Sequence, residues 1–186
     1  DSTNIISEGE VLQLSLKSKG LISEDDYFEI IGRKTAELFK ASSKSAAVLS
    51  EASLKEVESA GDFAYSLGIA FQIQDDLLDY FGNEEATGKK VGKDFQEGKI
   101  TLPLLRAIQL ASKENKETIL RLMQTKNSSD LPQVIDIIKS TGALDEVKKT
   151  CDSYIDNCLT KLTSFPASIY KTQLINIVRN IKVRES

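Results

Sequence analysis

Three serine–acid pairs spaced by three residues mark helix starts in the N-terminal third of the chain, each ahead of apolar residues at helical spacing: Ser7 with Glu10, Ser23 with Asp26, Ser53 with Glu56. In such a pair the hydroxyl takes an orphan N–H of the first turn and the acid returns to the serine's own N–H, which fixes a helix start. Gly20 ends the first of these helices, the second runs to about residue 49 and the third to about residue 80. Thr101, with Pro103 in the first turn, opens another. Shorter helices fit 115–125 and 131–140, and longer ones fit 144–165, stopped by Pro166, and 168–183. Strand signals are nearly absent, so the expected fold class is all-α. A chain of 186 residues, 40% hydrophobic and 28% charged, suffices for one sizeable core. Only the connection from Gly82 to Lys99 is long, and loops of that length inside a compact domain are usually functional.

Composition removes several functions. With a net charge of −4 and scattered basic residues there is no nucleic-acid footprint. The most apolar stretch, 64–73, is too short for a transmembrane segment, and no signal-peptide pattern is present. A cytoplasmic protein is expected. Cys151 and Cys158 lie seven apart in a helical pattern, about 10.5 Å along the axis, beyond the ~7 Å that a disulfide allows, so both should be free and buried. Histidine is absent. That takes away the commonest general base and the commonest transition-metal ligand, and leaves carboxylates, lysines and a hard metal.

On a helical projection of residues 57–79, Val57, Ala60, Gly61, Ala64, Gly68 and Phe71 share one face. Asp75 falls at its centre, Gln72 and Asp79 beside it and Asp76 at its edge. The carboxylates thus continue the inward stripe. No Lys or Arg lies three or four residues from any of the three, and carboxylates on a buried face need a cation or must take up protons. An all-carboxylate cluster suits Mg²⁺, which shares substrate phosphate oxygens; a solvated acidic patch is the other reading of a bare D-D-x-x-D. The loop that follows carries Gly88-Lys89-Lys90-Val91-Gly92-Lys93-Asp94 and then Gly98-Lys99. Glycines let backbone approach a ligand and lysines supply point charges for phosphate. Carboxylates facing lysines make a metal-bridged diphosphate clamp.

The string Phe71-Gln72-Ile73-Gln74-Asp75-Asp76-Leu77-Leu78-Asp79-Tyr80, with Gly88-Lys89 through Asp94 and Gly98-Lys99-Ile100-Thr101-Leu102-Pro103-Leu104, resembles the second aspartate-rich region of trans-isoprenyl (polyprenyl) diphosphate synthases. Gly9-Glu10-Val11-Leu12-Gln13-Leu14 looks like a segment of their long-chain members. Lys34-Thr35 resembles the pair that touches the allylic diphosphate, and 174–184 looks like the last helix. The resemblance implies a helical bundle of the isoprenoid synthase type, a homodimer, and condensation of isopentenyl diphosphate with an allylic diphosphate into a long-chain polyprenyl diphosphate. It also implies roles. Asp75 would ligate Mg²⁺, supported by Asp76 and Asp79; Lys34, Lys89 and Lys99 would hold the allylic diphosphate; Phe71, Gln72 and Thr35 would line the path of the allylic cation.

The family's first aspartate-rich motif is not in this chain, and Asp25-Asp26 does not replace it, because acids in a first turn complement the helix dipole. The expectation is therefore that residues 1–186 form the C-terminal part of a single polyprenyl synthase domain, incomplete at the N-terminus. The start at Asp1, almost inside the first helix cap, agrees with that. A non-catalytic helical subunit that pairs with a complete synthase is the competing reading.

Overall fold

Glu24, Asp25 and Asp26 crowd a first turn where the helix dipole favours them, and the Ser23 box closes as its spacing predicts. Ser23 N donates to Asp26 Oδ2 at 2.8 Å and Asp26 N to Ser23 Oγ at 3.0 Å. Helix α2 (Glu24–Ile31) runs through a π turn (Gly32–Ala36) directly into α3 (Glu37–Leu49). The Ser53 box opens α4 (Leu54–Phe81), with Ser53 N on Glu56 Oε2 at 2.8 Å and Glu56 N on Ser53 Oγ at 3.4 Å. The Ser7 box does not form. Helix α1 (Ser2–Lys17) already starts at Ser2, so Ser7 lies inside it and its hydroxyl donates to the Thr3 carbonyl at 3.0 Å.

The remaining elements are α5 (Lys93–Glu97), α6 (Leu102–Leu110), α7 (Lys113–Thr125), a 3₁₀ turn (Ser128–Asp130), α8 (Leu131–Ser140), α9 (Ala143–Leu162) and α10 (Ile169–Val183). This computed structural model describes residues 2–17, 20, 22–83, 88 and 90–183; among them there is no strand. The all-α expectation holds. Some boundaries shift: α7 starts at Lys113 because Ser112 caps it by accepting from Asn115 N at 3.3 Å, α9 ends at Leu162, three residues short of the expected 165, and the connection expected to be a loop contains α5.

Helix α4 is exposed along Leu54, Lys55, Glu58 and Asp62 in its first turns and becomes enclosed on nearly every side from Ser66 to Leu77. It packs against α3 and the π turn, and also against α9 and α10. Phe63, Leu67, Ala70, Ile73 and Leu77 of α4 meet Ile31, Ala36, Cys151, Ile155 and Cys158 in the larger core. A second core gathers Tyr80, Phe95, Leu104, Ile108, Ile119, Leu122, Val134 and Ile138 beside the C-terminal end of α4, and α6 joins it to the larger core, to which Leu102 and Leu105 belong. Both cysteines are free and buried, as expected, and burial pushes the Cys158 thiol up to about 12. Helix α1 crosses the π turn and leaves Val11 and Leu14 exposed by 65% and 60%. Among the described residues no helix is long and apolar enough to cross a membrane.

Candidate active site

Gly68, Gln72 and Asp76 form one row along α4, each a turn beyond the last. Ala36, Thr35 and Tyr27 of the preceding helix stand against that row. Thr35 Oγ1 donates to Gln72 Oε1 at 2.9 Å, Gln72 Nε2 donates to Asp76 Oδ1 at 3.0 Å, and the Tyr27 hydroxyl donates to Asp76 Oδ2 at 2.7 Å. Lys99 Nζ completes the set, 2.9 Å from Asp76 Oδ1 and 3.0 Å from Asp94 Oδ2. Asp76, at 0% exposure, thus takes three donors on two oxygens.

These contacts correct two expectations. Asp76, placed at the edge of the inward face, is the fully buried carboxylate, while Asp75 and Asp79 are partly buried. A helix enclosed on nearly every side has no single inward face to project. Nor is Asp76 without a compensating charge, because Lys99 supplies one from 23 residues away, beyond the reach of any spacing rule within a helix.

Asp79 is built into the loop. Its two carboxylate oxygens accept from Lys93 N at 3.1 Å and Asp94 N at 3.0 Å, capping α5, and its carbonyl accepts from Gly92 N at 2.6 Å. Gly92 and Gly98 bound α5 in left-handed conformations, at φ 82° and 68°, which favour glycine. Burial, together with the Asp94 charge, pushes the Asp79 carboxyl up to about 6, against the pull of the two N–H groups. Burial also raises the Asp76 carboxyl, with Lys99 pulling it back. For the Lys99 ammonium burial acts downward, and the Asp76 and Asp94 charges outweigh it, so its pKa rises. The site keeps that cation charged throughout the ordinary pH range.

Lys34 faces the other way. Its Nζ lies 2.6 Å from Glu10 Oε2 and 2.8 Å from Gln13 Oε1, both on α1. Phe71 packs against Phe39 in a tilted ring pair with centroids 5.7 Å apart. A cavity of about 290 Å³ opens between α1, α2 and the 94–100 segment, with Lys34, Lys99, Tyr27 and Asp94 in its wall. Lys34 and Lys99 thus share a cavity, which Asp75 does not line. Lys89 lies outside the described residues. No group of three or more His, Cys, Asp or Glu among the described residues is arranged to hold a metal ion. Asp94, Glu10 and Gln13 stand in the motif strings but have no site role assigned from the sequence, and Tyr27 is not read there as part of the site at all. The one signal for Tyr27 is its place two helical turns ahead of Lys34.

The helical bundle built round one long buried helix matches solved polyprenyl synthase structures. The chain belongs to the polyprenyl synthetase family, whose model matches residues 1–139. The all-trans-nonaprenyl-diphosphate synthase (geranyl-diphosphate specific) of Rhodobacter capsulatus is 40% identical over 174 residues, covering 94% of this chain and 53% of the relative. Octaprenyl diphosphate synthase of Escherichia coli is 34% identical over 178 residues, covering 95% and 55%. A crystal structure of polyprenyl synthase from Caulobacter crescentus, complexed with calcium and isoprenyl diphosphate, matches with a TM-score of 0.92 at 36% identity, over 100% of this chain and 57% of that one. The chain spans about half the length of the curated relatives it matches.

Proposed function

We propose that this chain is the C-terminal part of a trans-prenyltransferase that condenses isopentenyl diphosphate with an allylic diphosphate into a long-chain polyprenyl diphosphate, and that it carries the second aspartate-rich half-site. The observation that carries this reading is the junction at the C-terminal end of α4: buried Asp76 is paired with Lys99, Asp79 caps the loop helix α5 just ahead of Lys99, and Thr35 is joined to the same cluster through Gln72.

The donors fit Mg²⁺ in part. Asp75 and Asp79 offer hard oxygens, which Mg²⁺ takes together with water and phosphate oxygens. No set of three described carboxylates surrounds one point, so the chain would supply a share of the coordination and the diphosphate and a second half-site the rest. Mg²⁺ held there would neutralise charge on the departing diphosphate. Lys99, Lys34 and Lys89 hold the allylic diphosphate. Asp76 keeps Lys99 aimed and Gln72 oriented. Gln72 and Thr35 turn polar atoms toward the path of the allylic cation, and Phe71 gives it an aromatic wall. No side-chain base is needed if the diphosphate takes the proton, consistent with a chain that lacks histidine. The working form in this reading is a cytoplasmic homodimer of the full-length enzyme.

The second reading, a non-catalytic helical subunit, draws on the exposed Val11 and Leu14 of α1, which another polypeptide would cover. One experiment separates the two. The purified chain is assayed with labelled isopentenyl diphosphate, an allylic diphosphate and Mg²⁺, alone and after refolding with the N-terminal half of a family relative. No condensation alone, and turnover after complementation that Asp75→Ala removes, supports the catalytic half-site. Complementation that survives Asp75→Ala supports the subunit reading.

A further inference from the structure

The π turn at Gly32–Ala36 is the one break in regular α geometry along the helical run from Glu24 to Leu49, marked by the Glu37 N–H bonding back to the Gly32 carbonyl. It carries both Lys34 and Thr35. In an unbroken α-helix Thr35 would stand about 80° round the axis from Tyr27. The extra residue in an i→i+5 turn cuts that angle back. Tyr27 and Thr35 can then address the same row of α4, reaching Asp76 and Gln72, while Lys34 is delivered to α1 and the cavity.

Two glycines from two other helices touch the backbone of this turn. A Cβ on Gly9 of α1 would lie 2.8 Å from Arg33 Cβ and 2.9 Å from Lys34 N. One on Gly68 of α4 would lie 2.6 Å from Ala36 Cα. These neighbours are backbone or the first side-chain atom and cannot swing away. Gly61, two turns earlier on α4, differs. Its Cβ would meet only the Lys44 and Lys40 side-chain methylenes, at 2.8 and 3.5 Å, which can rotate.

We propose that Gly9 and Gly68 are positioning residues for Lys34 and Thr35: they hold the π turn by direct backbone contact and so set where those two side chains point. The proposal rests on the diphosphate role given to Lys34 and Thr35 above. Alanine would otherwise favour a helix over glycine, so a purely local view expects Gly9→Ala and Gly68→Ala to stabilise.

The test compares Gly9→Ala, Gly68→Ala and the control Gly61→Ala in the full chain with two readouts. The first, amide hydrogen exchange, needs no ligand. Exchange over residues 32–37 should rise at least tenfold in the Gly9 and Gly68 variants, with α8 and α9 unchanged, and should stay at the parent level in the Gly61 variant. The second is calorimetric affinity for inorganic pyrophosphate with Mg²⁺, which should weaken at least tenfold in the same two variants at a temperature where all remain folded. Parent-like exchange at 32–37, or an equal rise across the whole chain, overturns the proposal. So does unchanged pyrophosphate affinity in a variant whose exchange at 32–37 has risen. A parent chain that does not bind pyrophosphate is what a half-site without its counterpart predicts, the failure of the proposed function being read from the complementation assay above, and the exchange result alone then decides the role of the glycines.

Discussion

The Tyr27 hydroxyl donates to Asp76 Oδ2 at 2.7 Å, fastening a carboxylate with no exposed surface to a helix 49 residues earlier in the chain. The other oxygen is held by Gln72 and Lys99. Tyr27→Phe keeps the ring and removes one donor to a buried charge. Hydrogen bonds of that kind contribute about 2 kcal/mol, and urea denaturation should report a loss of that size. An unchanged midpoint would show that Lys99 and Gln72 satisfy Asp76 without it.

Lys99→Met leaves Asp76 buried beside an apolar side chain. Breaking such a pair from one side costs about 3 kcal/mol or more. The double variant Lys99→Met/Asp76→Leu removes both charges and should recover most of the loss. Equal instability in the single and double variants would point to lost packing and not to an unpaired charge.

The Asp79 carboxyl, pushed up to about 6 from its ordinary 3.8, sets a pH signature in the metal-free chain. Between those values the unfolded chain gives up this proton while the folded one keeps it. The contribution of Asp79 to stability is therefore greatest at low pH, falls as pH rises from about 3.8 to 6, and is level above. Buried Asp76, also raised, acts in the same sense. Asp79→Asn retains an acceptor for α5 and removes the titration, so its stability curve should be flatter than the parent's over that window. Parallel curves would place the titration elsewhere.

Much of this architecture can be read directly and some of it cannot, for identifiable reasons. The Ser23 and Ser53 boxes are local, and local spacing predicts them; the Ser7 spacing is as good, yet the helix begins upstream and the motif goes unused. An i→i+5 turn has no residue signature, so the π geometry that aims Lys34 and Thr35 is invisible in the sequence. Gly92 and Gly98 read as loop residues although they bound α5, whose N–H groups are taken by a side chain fourteen residues away. Asp76 is the sharpest case, since its burial depends on Tyr27 and Lys99, both far off in the chain.

In a complemented enzyme, Asp75→Ala should cost much more turnover than Asp79→Ala. A direct metal ligand acts on the departing charge, whereas a group one layer out typically contributes ~10- to 100-fold. Single-turnover rates would measure the split, and equal small losses would remove Asp75 from the inner position.

Neither cysteine should react with a thiol reagent at pH 8 in the folded chain, because both are buried and the Cys158 thiol is pushed up to about 12. Two thiols should appear in guanidinium. Prompt labelling without denaturant would mean that α9 opens readily from α4.

Phe95 has a consequence for how the molecule comes apart. It anchors α5, and with it the approach to Lys99, in the smaller core, while Ile73 and Leu77, flanking the aspartates, belong to the larger one. The two cores are not independent, because α6 enters both, with Leu102 and Leu105 in the larger and Leu104 and Ile108 in the smaller, and the Lys99–Asp76 pair crosses between them. Loosening at Phe95 is therefore carried to the row of α4 residues that Asp76 ends, and heating should give one calorimetric transition; two resolved transitions would mean that the cores melt apart.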